Sequence, residues 1–140
     1  MKSSYAYLLA PVIGFLSAQT IKYILASQKD RNWRRFFRSG NMPSSHTAVV
    51  VSLANVIFAH EGFSDLFAVV AVLTMITIYD ALVARRSIGE QGTALVRLIE
   101  ASPFAKDPLP RVAIGHTPRE VIAGGVLGTM IGIIVAFFIT

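Results

Sequence analysis

Four long apolar runs dominate this chain and limit what it can fold into. They cover about Tyr5–Ala26, Ser45–Ala59, Phe63–Ala84 and Val121–Ile139. A bilayer has a hydrocarbon core roughly 30 Å thick, and lipid offers no partner for an unpaired backbone N–H or carbonyl group. The chain is therefore predicted to be an all-α integral membrane protein: one domain, residues 1–140, forming a helical bundle of about four transmembrane helices.

Composition narrows the classes of partner. The chain is 54% hydrophobic and 15% charged, carries a net charge of +5 and has no cysteine. The lack of cysteine excludes disulfides and thiolate metal sites. Because the basic residues lie between apolar runs, they favour the lipid bilayer and an anionic lipid phosphate as partners. We predict no nucleic-acid partner, no metal and no cofactor.

The connections between the runs differ in character. Residues 60–65 form a short acidic turn, whereas residues 28–38 are basic and aromatic, which suits a segment at the level of the lipid headgroups. Within the third connection, Thr93–Ala101 places Leu95, Leu98 and Ile99 on one helical face, which predicts a short interfacial or re-entrant helix. Four spans put both long connections on one side of the membrane and both termini on the other.

Two histidine motifs lie on the side of the long connections. Residues 40–48 (GNMPSSHTA) and 115–120 (GHTPRE) each place a histidine beside hydroxyl residues and a proline, directly before an apolar run. The unpaired N–H groups at the start of a helix favour a bound anion. With the Arg85-Arg86 pair on the same side, the two motifs predict a phosphate site at the membrane surface.

The second motif contains the candidate nucleophile, His116. Thr117 is predicted as the N-cap of a helix that begins at Pro118, with Glu120 completing a capping box. In one interpretation Glu120 only caps the helix and His116 merely precedes it. In the other, His116 attacks phosphorus while Glu120 orients the far ring nitrogen and stabilises the positive charge that forms.

The first motif supplies the candidate acid and base, His46. A free imidazole titrates near neutrality, so His46 can protonate a leaving oxygen and then activate water. The amides and hydroxyls of Ser44 and Ser45 are predicted to hold phosphoryl oxygens. The alternative is polar packing of His46 at the start of a helix.

Basic residues at the ends of two spans are predicted to hold the phosphate. They are Lys22, Arg85 and Arg86, although lysine and arginine at such positions also extend to the membrane surface without binding anything. Asp80, inside an apolar run, is expected to need a basic partner from the same site. His60, in the acidic turn on the other side, is assigned a structural role.

Three glycines share one face of the last span. Gly124, Gly128 and Gly132 are spaced four residues apart, which favours close packing of helices. This face is predicted to serve either within the bundle or between two protomers of a homodimer.

Taken together, these residues resemble the divergent membrane branch of the superfamily of type 2 phosphatidic acid phosphatases and vanadium haloperoxidases. The resemblance rests on five groups of residues: Gln19 with Lys22, residues 40–48, residues 79–81 with Arg85-Arg86, Gly89 with Gln91, and residues 115–118 with Glu120. It implies that Lys22 corresponds to the lysine of the first family motif and that residues 43–46 correspond to Pro-Ser-Gly-His. His116 and Glu120 then correspond to the histidine and carboxylate of the third motif. The chain departs from the pattern in having Ser45 in place of glycine, Glu120 in place of aspartate, and no Arg-Pro pair in the first motif.

The predicted function is metal-independent hydrolysis of a phosphate or diphosphate monoester of a membrane lipid through a phosphohistidine intermediate. The alternatives are a non-catalytic membrane protein that keeps the anion pocket to bind lipid phosphate or for structure, and vanadate-dependent haloperoxidase chemistry. Of the 13 Lys and Arg residues, only Lys2 lies on the side of the termini. The positive-inside rule therefore predicts that the active site faces the cytoplasm.

Overall fold

The computed structural model describes residues 2–26, 42–103, 108–110, 112 and 115–139, and its regular elements are helical. The helices are α1 (Lys2–Leu25), α2 (Ser45–Glu61), α3 (Asp65–Tyr79), α4 (Arg85–Glu100) and α5 (Pro118–Phe138), with a π-helical segment, Asp80–Ala84, between α3 and α4. The predicted all-α membrane bundle is confirmed. The basic aromatic segment 28–38 and most of residues 104–114 lie outside the described residues.

Among the residues that the structure describes, three stretches of helix are long and apolar enough to cross a membrane. They are Ser4–Leu25, Asp65–Glu100 and Pro118–Phe138. Helix α2 has 17 residues, about 26 Å at 1.5 Å per residue, a little less than the thickness of a hydrocarbon core. The three stretches correspond to the first, third and fourth apolar runs, and α2 corresponds to the short second run.

Helix α2 lies at the centre of the bundle and packs against α1, α3 and α5. Contacts at its two ends show that α1 is antiparallel to it, because Ser45 contacts Lys22 while Glu61 contacts Tyr7. Helix α5 runs parallel to α2, since Gly124 lies beside Ser44 and Gly132 beside Asn55. We call the end with Lys22, Ser44 and His116 the site end, and the opposite end, with Tyr7 and the α2–α3 turn, the turn end.

The glycine face of α5 is covered by α2. A Cβ added to Gly128 would lie 2.7 Å from the Ala48 carbonyl oxygen, and one on Gly132 would lie 2.6 Å from Asn55 Cβ. A Cβ on Gly124 would overlap the Ser44 carbonyl. The face therefore packs on α2 within the bundle, which is one of the two uses predicted for it. A homodimer through Gly124, Gly128 and Gly132 stays a prediction.

The predicted separate helix at Thr93–Ala101 is instead the last part of α4, which continues α3 through the π-helical segment. The charged Arg85 and Arg86 end the apolar run without ending the helix. Charged side chains leave the backbone hydrogen bonds of a helix intact, and no proline interrupts residues 65–100. Helix α4 keeps the predicted apolar positions, and Leu95 and Leu98 are exposed.

At the turn end, hydrogen bonds hold three helices together. The Tyr7 hydroxyl donates to Glu61 Oε1 at 2.7 Å, and the Ser64 hydroxyl, at the N-cap of α3, donates to Glu61 Oε2 at 3.0 Å. His60 Nδ1 donates to the Val56 carbonyl at 2.8 Å, and its ring packs edge-on against Tyr7. These contacts agree with the structural role predicted for His60.

Candidate active site

The start of α5 has the predicted capping box. Thr117 is the N-cap, and its hydroxyl accepts from the Glu120 N–H at 3.4 Å. In return, Glu120 Oε2 accepts from the Thr117 N–H at 3.0 Å. Pro118 occupies the first helical position, where its missing N–H costs nothing. The local sequence thus fixes both the helix start and the position of the Glu120 carboxylate.

The same carboxylate oxygen binds the candidate nucleophile. His116 Nδ1 lies 3.0 Å from Glu120 Oε2, and the His116 side chain is only 3% exposed. A carboxylate can only accept, so Nδ1 carries the proton and the lone pair of a neutral ring is on Nε2. The two interpretations of Glu120 are therefore compatible, because one oxygen both caps α5 and orients His116.

The backbone of His116 is held by the junction between α3 and α4. Its N–H donates to the Ala81 carbonyl at 3.1 Å. The preceding Gly115 lies so close to the backbone of Arg86 that an added Cβ would be 2.6 Å from Arg86 Cα. The motif sequence alone gave no sign of either contact, since both depend on how α4 passes the start of α5.

Lys22 reaches the first motif from the end of α1. Its ammonium group donates to the Ser45 hydroxyl at 3.3 Å, and the side chain is half-buried. The negative charge of Glu120 acts on Lys22 electrostatically. Lys22 therefore lies between the two histidine motifs.

His46 is exposed in the first turn of α2. The groups that act on its ring electrostatically are Arg85, His116, Lys22 and Asp80. These groups come from α1, from the start of α5 and from the junction of α3 with α4. Residues from four separate segments of the chain therefore lie near one another at the site end.

Ser44 has a different environment from the one predicted for a phosphate ligand. Its N–H donates to the Glu120 carbonyl at 2.9 Å, and its fully buried hydroxyl accepts from the Thr47 hydroxyl at 3.0 Å. As the N-cap of α2, it also accepts from the Thr47 N–H. The Ser44 N–H therefore joins α2 to α5, and the Ser44 hydroxyl caps α2. Because both groups have partners inside the bundle, their use for phosphate stays a prediction.

The two arginines diverge. Arg85 Nε donates to Asp80 Oδ2 at 2.7 Å, which supplies the basic partner that Asp80 was expected to need. Arg86 Nε instead pairs with Glu90 at 3.1 Å, and its side chain is 66% exposed. Arg85 therefore belongs with His46 and Asp80, whereas Arg86 pairs along the surface of α4. Within the described ranges, no three His, Asp or Glu side chains come close enough to hold a metal ion.

Comparison with known proteins gives two matches and one absence. A family model described as "Divergent PAP2 family" matches residues 3–131. The "Uncharacterized membrane protein YuiD" of Bacillus subtilis (strain 168) is 33% identical over 150 aligned positions that cover 94% of each chain. No solved structure matches the chain with significance.

Proposed function

We propose that this chain, which belongs to the divergent PAP2 family, is a phosphatase. Its substrate is a phosphate or diphosphate monoester of a membrane lipid. The observation that carries the proposal is the bond between His116 Nδ1 and Glu120 Oε2. It supports an imidazole with its lone pair on Nε2 and a carboxylate placed to stabilise positive charge on the ring.

In the first chemical step, His116 Nε2 attacks the terminal phosphorus in line with the bond to the leaving group. A P–N bond forms as the P–O bond to the lipid breaks, and the electron pair of that bond stays with the lipid oxygen. Protonated His46 gives its proton to this oxygen, so the lipid leaves as an alcohol or as a shortened phosphate. The His116 ring becomes cationic beside Glu120.

Water completes the reaction in the second step. Neutral His46 takes a proton from water as the water oxygen attacks phosphorus, and the P–N bond breaks with its electron pair returning to Nε2. Inorganic phosphate leaves, and both histidines regain their starting states. The steps consume one water per phosphate released and use no metal.

Phosphate binding falls to the cations and amides at the site end. Lys22, Ser45 and Arg85 are the side chains that we assign to it, with Asp80 supporting Arg85. The N–H groups of Ser45 and His46 open α2, where a helix has no internal acceptor for them and favours an anion. Arg86, paired with Glu90, is left out of this set.

The substrate is proposed to be a lipid because the site lies at the end of apolar helices. Its phosphate is proposed to be presented from the cytoplasmic side. Leaving out Lys22, Arg85 and Arg86, which a phosphate site needs on either side, nine Lys and Arg residues remain in or beside the long connections against Lys2 alone. The acidic turn has none.

A phosphate-release screen of the purified protein tests the proposal. The substrates are phosphatidate, phosphatidylglycerol phosphate and a polyprenyl diphosphate in detergent micelles, each with and without EDTA. We expect release from at least one lipid, undiminished by EDTA and inhibited by vanadate, which mimics five-coordinate phosphorus. If no lipid loses phosphate while the protein still binds lipid phosphate, the chain is a non-catalytic binding protein instead.

A further inference from the structure

The π-helical segment, Asp80–Ala84, contacts both Arg85 and His116, because Asp80 pairs with Arg85 and the Ala81 carbonyl accepts from the His116 N–H. It lies where a long apolar helix passes the site end, and it packs against both α4 and α5. π-Helical turns are rare and frequently lie at functional sites. The contacts on either side of this one show what it does.

The π-helical register changes which carbonyl each N–H meets. The Arg85 N–H donates to the carbonyl of Asp80, five residues earlier, instead of Ala81, four residues earlier. The Ala81 carbonyl accepts from the His116 N–H, at 3.1 Å. The segment thus presents a backbone acceptor to the residue that we assign as nucleophile.

The same segment orients Arg85. The Asp80 carboxylate binds Arg85 Nε at 2.7 Å across five residues, which restrains the guanidinium plane through one of its five N–H groups. The closest comparison is the Arg86–Glu90 pair one residue along, which has ordinary α-helical spacing and is more exposed. That pair has no described contact with His46 or His116.

We infer that the π-helical segment is the positioning device of the site, in which Asp80 orients Arg85 while the Ala81 carbonyl and Gly115 fix the backbone of His116. Asp80 and Gly115 are accordingly positioning residues. The inference rests on the proposed function for its kinetic consequences, whereas the placement of His116 can be measured without turnover. Gly115 is needed because an added Cβ would meet the backbone of Arg86, which cannot move aside as a side chain can.

Two variants with matched controls test the inference. Gly115→Ala is compared with Gly125→Ala, where an added Cβ meets nothing within 4 Å. Asp80→Asn is compared with Glu90→Gln. We expect Gly115→Ala and Asp80→Asn to lower kcat at least tenfold with KM changed less than threefold, and both controls to match the wild type. Asp80→Glu should restore part of the lost rate.

A spectroscopic readout separates this inference from the proposed function. In ¹⁵N-histidine NMR of the protein in detergent, His116→Gln identifies the His116 signals. We expect an Nδ1–H tautomer in the wild type and in Gly125→Ala, and a shifted or averaged signal in Gly115→Ala. That result with no turnover on any lipid would support positioning and overturn the phosphatase. A Gly115→Ala variant with wild-type kcat and the wild-type His116 tautomer would overturn the positioning role of Gly115. An Asp80→Asn variant that lowers KM and leaves kcat intact would overturn the positioning role of Asp80, because Asp80 would then compete with the substrate for Arg85.

Discussion

The two ends of the bundle contain the same pair of residue types in different arrangements. At the site end His116 and Glu120 are four residues apart and hydrogen-bonded, whereas at the turn end His60 and Glu61 are adjacent. Both imidazoles donate through Nδ1, so in the neutral form of each ring the lone pair is on Nε2. His116 donates to a carboxylate, and His60 donates to the backbone carbonyl of Val56.

The difference in acceptor decides what each histidine can do. A ring that attacks phosphorus becomes cationic, and a carboxylate stabilises that charge far better than a neutral carbonyl does. Glu61 cannot take this role for His60 because neighbouring residues on a helix point in different directions, and it accepts from Tyr7 and Ser64 instead. Helical spacing, more than the residue types themselves, separates a candidate nucleophile from a packing residue.

The largest expected difference in kcat is between alanine variants of the two histidines. His116→Ala should lower kcat by about a thousandfold or more, as removal of a catalytic nucleophile does in other hydrolases. His60→Ala should keep the wild-type rate and lose some stability through its packing on Tyr7. Initial rates of lipid phosphate release, with circular dichroism to confirm folding, measure both. Equal rates of phosphate release by the two variants would contradict the assignment of His116 as nucleophile and His60 as a packing residue.

A smaller difference in kcat is expected between glutamine variants of the two glutamates. Glu120→Gln keeps an oxygen that can accept from Thr117 and His116 but loses the negative charge. We expect kcat to fall about tenfold, which corresponds to about 1.4 kcal/mol of transition-state stabilisation. Glu61→Gln should leave kcat unchanged and lower the melting temperature slightly. A folded Glu120→Gln with wild-type kcat would show that Glu120 serves only as the helix cap.

Alanine substitutions of two α5 glycines compare how helix packing at each end of the bundle affects stability and activity. Gly124→Ala and Gly132→Ala both place a Cβ against α2 and should each destabilise the protein by about 1–3 kcal/mol. Only Gly124→Ala should also lower the rate, because it presses on Ser44, whose N–H binds the Glu120 carbonyl. Thermal unfolding and phosphate release distinguish the two outcomes. Unchanged activity in a folded Gly124→Ala would separate the packing of α2 on α5 from catalysis.

Much of this arrangement is predictable from the sequence, and for local reasons. The apolar runs give the helices because lipid leaves no alternative, and Thr117-Pro118-Arg119-Glu120 gives the capping box. A basic partner for Asp80 was predictable because an unpaired carboxylate in an apolar run is unfavourable. Each of these inferences needs only neighbouring residues.

The rest depends on contacts between segments distant in the chain. Ser44 looked like a phosphate ligand because its hydroxyl opens a helix, but the backbone of α5 takes its N–H. Arg86 has Glu90 four residues later, a pair that α-helical spacing allows. The pairing of Arg85 with Asp80, five residues earlier, instead depends on the π-helical segment. The continuation of α3 into α4 was missed because a change in polarity was equated with the end of a helix.

The substitutions with the smallest expected effect on activity are single cysteines, which test which compartment each end of the bundle faces. Because the chain has no cysteine, Ser87→Cys on α4 and Phe63→Cys in the turn end introduce single thiols at exposed positions. We expect no change in activity. A membrane-impermeant thiol reagent applied to intact cells should label Phe63→Cys and spare Ser87→Cys until the cells are opened. The reverse pattern would place the site end outside.

The central claim, that His116 carries the phosphoryl group, is tested most directly by trapping the intermediate. The purified protein is mixed with a lipid substrate labelled with ³²P in its terminal phosphate and quenched in alkali, in which phosphohistidine survives, and the labelled peptide is sequenced. We expect label on His116, stable to alkali and lost in acid, and none in the His116→Ala variant. Label on another residue, or rapid phosphate release by His116→Ala without any labelled enzyme, would contradict the account.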